Sequence, residues 1–181
     1  MTARPARLSL TVQYAVAPSS LPVAATLRRW ARAALERNAN VTLRFVGTRE
    51  GMTLNGVFRG KDYATNVLTF VYEETAPLAG DIVLCSPVLR REARAQGKTF
   101  ADHCAHLVVH GMLHLQGYDH DTPRAARAME RHETAILAAL RVPDPYADSA
   151  LPAERPPAGR GRPMPHPRGA MPVPPGKPRH A

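Results

Sequence analysis

The sequence predicts an α+β fold: a single mixed β-sheet of about four strands packed with about five helices. Two observations carry this. Four short segments alternate apolar and polar residues, or run β-branched and aromatic, as strands do. About five longer segments place apolar residues at helical spacing, and most open on a capping residue or a proline. The two kinds do not alternate strictly, and the last two helices follow the last strand. That arrangement belongs to one sheet with helices gathered on it, and the final pair is expected to cover one side.

The elements follow in order. Leu8, Leu10, Val12 and Tyr14 alternate along LSLTVQY (8–14) and predict a strand with one buried face. Ser20 is placed to cap a helix with Pro22 in its first turn, and Leu27, Trp30, Ala31, Ala34 and Leu35 form its apolar stripe. VTLRFVG (41–47) alternates again and ends at glycine. In EGMTLNGVFRG (50–60), Leu54, Val57 and Phe58 stand at helical offsets and predict a short helix. NVLTFVY (66–72) is rich in β-branched and aromatic residues and reads as a central strand, and GDIVLC (80–85) is the next. Ser86 as cap and Pro87 in the first turn open a helix ending near Gly97. Thr99 with Asp102 forms a capping-box pattern for a helix over about 100–116. Thr122 and Pro123 open the last, about 123–141, with Ala126, Met129, Ile136, Leu137 and Leu140 available for packing.

The chain has 181 residues and a formal net charge of +9, enough length for one domain with a full core. Residues 1–150 are expected to form that domain. From Leu151 onward stand Arg155, Arg160, Arg162, Arg168, Lys177 and Arg179 against Glu154 alone, together with ten of the 18 prolines. Residues 151–181 cannot bury a core and are expected to be a disordered cationic tail. Such an arm is either a passive solubilising extension or a loose, salt-sensitive contact with RNA phosphates. No run approaches the eighteen or so apolar residues of a membrane span, and the N-terminal stretch lacks the features of a secretory signal. Cys85 and Cys104 lie in apolar contexts and are expected to be buried free thiols. A reducing cytoplasm fits that usage.

The stretch HGMLHLQGYDH (110–120) dictates a chemistry. His110 and His114 are four residues apart and share a helix face. Gly117 allows the chain to leave the helix, because it tolerates the left-handed conformation, and the turn brings His120 back. Three imidazoles with a fourth position open describe a catalytic zinc site rather than a structural one. A competing set exists, because His106 shares the face. His106 and His114 stand roughly 12 Å apart along the axis, too far to share one ion, so the helical pair is 106/110 or 110/114. Only the second has a glycine turn and a third donor placed to complete it. His103 and His106 are expected on the helix surface or behind the ligands.

The spacing of His110, His114, Gly117 and His120 is that of metzincin proteases, a zincin-like site. Those enzymes place a glutamate after the first histidine as the general base. Here that residue is Gly111, which cannot take a proton.

With FRGKDYATNVLTF (58–70), GDIVLC (80–85) and PDPY (143–146) in the same order, the chain closely resembles the YbeY family of bacterial rRNA maturation factors over residues 8 to 146. The resemblance implies a single-strand-specific, metal-dependent endoribonuclease that matures the 3′ end of 16S rRNA and takes part in 70S ribosome quality control. It implies one zinc ion, or another divalent metal, on His110, His114 and His120, with His114 and Arg59 as catalytic residues. Its partners would be rRNA and the small ribosomal subunit, with ribosomal proteins and a ribosome-assembly GTPase as further candidates, and no membrane. Family members typically carry proline where this chain has Ala64, a difference that concerns loop stiffness.

Arg59 also has a reading from its chemistry. A guanidinium presents a planar fork of donors matched to phosphate oxygens and stays protonated. Lys61 is a candidate for the same substrate contact, and the alternative for both is a solvated charged loop. Asn66 is a candidate donor to substrate or a turn cap. Asp119 is a candidate to orient a ligand histidine from behind, or a plain turn residue. Tyr118 is more readily a packed tyrosine than a base-stacking one. The rival functions are a zinc metallopeptidase-like hydrolase, which Gly111 weakens, and a non-catalytic ribosome-assembly factor with a structural zinc.

Overall fold

The computed structural model describes residues 5–147, so the expectation for 151–181 lies outside the described residues. Strands β1 (Leu8–Tyr14), β2 (Ala39–Val46), β3 (Val67–Glu73) and β4 (Leu78–Cys85) form one sheet in the order β1-β2-β4-β3. β1 pairs parallel with β2 and β2 with β4, whereas β3 runs antiparallel to β4. Helices α1 (Ala24–Ala33), α2 (Thr48–Arg59), α3 (Ser86–Ala95), α4 (Phe100–Leu115) and α5 (Pro123–Ala139) complete the α+β architecture.

The sheet has two unlike faces. On one, Leu10, Val41, Leu43, Phe45, Ile82 and Leu84 pack with α1 and α4 in the main core, and α5 closes over α4. On the other, Val46, Leu68, Phe70, Val83, Cys85 and Val88 form a smaller cluster with Leu54 of α2. α4 is buried along most of its length between the sheet and α1, α3 and α5. That position explains why its sequence is apolar on nearly every side.

Three expectations need correction. β3 is an edge strand, not a central one. Its short link to β4 makes the two pair antiparallel, while β2 takes the other side of β4. The apolar run of β3 reflects burial on both faces, Val67 in the main core and Leu68 and Phe70 in the smaller cluster. Ser20 does not cap α1. It ends a 3₁₀ turn over Pro18–Ser20, its hydroxyl accepts from Arg90, and α1 starts at Ala24 after an N-cap at Val23. Pro22 disfavours helical backbone in the residue before it, and Leu21 is extended (φ −111°, ψ 154°). The cap of α3 is Cys85, with Ser86 already the first helical residue.

The caps of α4 and α5 form as their sequences predict. Thr99 Oγ1 accepts from the Asp102 backbone N–H at 3.0 Å, and Thr122 Oγ1 accepts from that of Ala125 at 3.1 Å. Cys85 and Cys104 are buried free thiols, and burial pushes Cys104 up to about 12. Among the described residues no helix is long and apolar enough to cross a membrane.

Candidate metal centre

α4 reaches its place through two glycines. Gly111 faces β4: a Cβ there would lie 2.8 Å from Ile82 Cγ2. At Gly80, on β4, a Cβ would lie 2.3 Å from both Leu115 Cδ2 and the Phe70 carbonyl oxygen. Bare backbone at both positions lets the last turns of α4 lie close on the strand. Position 111, where a protease carries its general base, therefore points into the core rather than into the site.

The helix then ends in a Schellman turn. Gly117 is left-handed (φ +94°), its N–H bonds the His114 carbonyl at 3.1 Å, and the Tyr118 N–H bonds that of Leu113 at 3.1 Å. Buried Gln116 clamps this end to the segment after α1. Its side-chain oxygen accepts from the backbone N–H groups of Glu36 (2.6 Å) and Arg37 (3.2 Å), and its amide nitrogen donates to Ala34 O (2.6 Å). Tyr118 donates to Glu36 at 2.8 Å and packs against the core, as a structural tyrosine does.

The turn returns His120 to the helix end. One ring nitrogen each from His110, His114 and His120 lies within 4.8 Å of the other two. His110 Nε2 and His114 Nε2 are 3.0 Å apart. A tetrahedral zinc with bonds of about 2.1 Å holds its nitrogens roughly 3.4 Å apart, so the donor set fits a divalent ion with little movement. Burial lowers His114 to about 4, helped by the neighbouring His110 and His120 and opposed by the Tyr118 backbone and Glu133. The ring is thus neutral at pH 7, the form that can ligate a metal.

Behind His110 stands Glu133 of α5, fully buried, whose Oε1 accepts from His110 Nδ1 at 2.6 Å. Burial alone would raise this carboxyl. Hydrogen bonds from His106 and His110 outweigh it and hold the group well below the usual carboxylate range. His106, His110 and Glu133 form a second group whose donor atoms lie within 4.8 Å of one another. His110 thus belongs to both helical pairs weighed from the sequence.

The remaining candidates lie elsewhere. His103 is buried, not on the helix surface, because its position turns it towards α3, where Nε2 meets Glu92 Oε2 at 2.9 Å. Asn66 donates to the same oxygen at 3.0 Å and accepts from the Val67 backbone N–H at 2.7 Å, so it ties the start of β3 to α3. Asp119 accepts from the Asp121 backbone N–H at 3.3 Å, a turn contact. Arg59 ends α2, on the other sheet face from α4, and is half-buried with its Nε enclosed and unpartnered. Burial lowers its pKa, partly offset by Tyr63. Lys61 is exposed just beyond.

Sequence reading missed Glu133. Its signal was a carboxylate inside the apolar stripe Met129, Ile136, Leu137 of α5, a position that demands a buried partner.

A family model described as Endoribonuclease YbeY matches residues 19–141. The chain belongs to the YbeY family. The Endoribonuclease YbeY of Aromatoleum aromaticum is 58% identical over 144 residues, 78% of this chain and 94% of that one. That of Nitrosomonas eutropha is 53% identical over 137 residues, 76% of this chain and 97% of the relative. A solution structure of the Thermotoga maritima protein TM1509 superposes with a TM-score of 0.50 at 26% identity, over 81% of this chain and 99% of that one. The matched region contains α4, its exit turn and all of α5, so it holds the whole histidine cluster and Glu133.

Proposed function

We propose that this chain is a single-strand-specific, metal-dependent endoribonuclease acting late in 16S rRNA 3′-end maturation and in 70S ribosome quality control. The observation that carries the reading is the convergence of three part-exposed imidazoles at the end of α4 in a chain of the YbeY family. His110, His114 and His120 would hold one ion, with zinc the best match to an all-imidazole set. A divalent ion there supplies Lewis-acid activation of water and of a phosphate oxygen. His110 and His114 orient the site from the rigid helix, and His120 closes it from the turn. Arg59 would pair with a phosphate of the strand, and exposed Lys61 would add charge beside it. The substrate would be rRNA on the small subunit in the cytoplasm, with ribosomal proteins and an assembly GTPase as partners.

Two features oppose the rival functions. Position 111 has neither a carboxylate nor the space for one, which removes the base of a zincin peptidase. The cluster offers three imidazoles, whereas structural zinc sites close with four protein ligands.

The test compares metal-loaded wild type with His114→Ala on single-stranded RNA. Cleavage present in the first and lost in the second is expected; equal cleavage by both would refute the reading. In cells carrying His114→Ala, unprocessed 16S 3′ ends are expected, and normal ends would favour a non-catalytic assembly role.

A further inference from the structure

We propose that Glu133 is the positioning residue of the metal centre and that the closing segment Pro143–Tyr146 straps it in place. The inference rests on the three-histidine metal site described above.

A fully buried carboxylate is costly unless its oxygens are satisfied. Glu133 is 0% exposed and has donors on both oxygens. Oε1 takes His110 Nδ1 at 2.6 Å. Oε2 takes the Tyr146 hydroxyl and, at 3.3 Å, His106 Nε2. An ionised carboxylate only accepts, so the proton between it and His110 belongs to Nδ1. The His110 Nε2 lone pair is then directed outward, towards His114 Nε2 at 3.0 Å. Glu133 thereby selects the tautomer a metal needs and fixes the ring plane, as carboxylates behind ligating histidines do.

Tyr146 is not free to leave. Lys98 Nζ donates to the Pro145 carbonyl at 2.8 Å, and the Tyr146 backbone N–H donates to Asp144 Oδ1 at 2.9 Å. Thr134, next to Glu133 on α5, donates to the same Asp144 oxygen at 3.3 Å. The Tyr146 ring packs edge-on against His106, with centroids 5.5 Å apart. This gives the PDPY segment a role that the three histidines and Arg59 leave unassigned: it completes the shell that aims His110.

The experiment uses the full chain and its Glu133→Gln and Tyr146→Phe variants. The His110 tautomer is read by ¹⁵N NMR in metal-free protein at neutral pH, and Zn²⁺ affinity by competition with a chromogenic chelator. Wild type is expected to hold the Nδ1–H form. Glu133→Gln should lose that preference and bind Zn²⁺ about 10- to 100-fold more weakly. Tyr146→Phe should move both readouts the same way by a smaller factor, and it carries the test alone if Glu133→Gln does not fold. A purely structural role would lower the melting temperature and leave tautomer and affinity unchanged, which overturns the proposal. Complete loss of Zn²⁺ in Glu133→Gln with full binding in His114→Ala also overturns it, because Glu133 would then be a ligand alongside His106 and His110. If wild type binds no Zn²⁺, the metal reading fails, and the tautomer alone decides whether Glu133 positions the ring.

Discussion

On one face of the sheet, α4 is pinned from several sides: Gly80 and Gly111 let it close on β4, Gln116 ties its end to the α1 side, and Glu133 braces His110. On the other face, α2 rests on a smaller cluster and leaves Val57 (73%), Phe58 (47%) and Tyr63 (57%) exposed around Arg59. The first face is built to hold a few atoms at fixed separations. The second presents aromatic rings to solvent beside a half-buried guanidinium, which suits contact with a flexible strand. On the proposed reading the first face would carry the metal and the second the substrate contact, and each half can be broken without the other.

The largest effect is expected from restoring the protease residue. Gly111→Glu would force a carboxylate into Ile82, with a penalty of more than about 3 kcal/mol from overpacking and buried charge. Thermal unfolding should show collapse of the fold, with no gain of peptidase activity. A stable folded variant would show that position 111 has room after all.

Arg59→Glu should spare the fold and the metal but reduce cleavage about ten- to a hundredfold, the size of one lost charge-assisted hydrogen bond to a phosphate of the strand. RNA cleavage at low salt checks it; a wild-type rate would make Arg59 a surface charge.

Acid should weaken the histidine face. His114 is lowered to about 4 in the folded protein, against about 6.5 unfolded. Between those values the unfolded chain binds a proton that the folded one refuses, so stability falls as pH drops through the window. The loss in metal-free protein is about 2 kcal/mol after allowing for partial exposure, measurable as denaturant midpoints from pH 7 to pH 4. Glu133 acts in the same direction at still lower pH, because its folded pKa is also depressed. A flat profile would contradict a neutral, enclosed His114.

The smallest effect concerns residues 151–181. Truncation after Ala150 should leave thermal stability nearly unchanged. It should also make the salt dependence of RNA binding shallower, by about 0.7 in slope for each phosphate that the tail no longer neutralises. Identical slopes would mark the tail as passive, and a large fall in melting temperature would show that it packs on the domain.

What was legible in the sequence was local. His110 and His114 lie one turn apart on one helix and Gly117 just past its end, so spacing alone places them, and His120 follows from the exit turn. Thr99 and Thr122 cap helices through bonds three residues long. What was hidden depends on distant partners. Glu133 meets His110 across 23 residues, and Gln116 meets Glu36 across 80. β3 looked central because burial on both faces mimics an inner strand, and its edge position came from pairing, which composition does not encode. The role of Gly80 was invisible until Leu115 lay above it.

The most direct measurement is bound metal per chain in wild type, His110→Ala and Arg59→Glu, each loaded with Zn²⁺ and dialysed. The two-face account predicts one ion in wild type and in Arg59→Glu, and well below one in His110→Ala. Undiminished metal in His110→Ala, or metal lost along with Arg59, would contradict it.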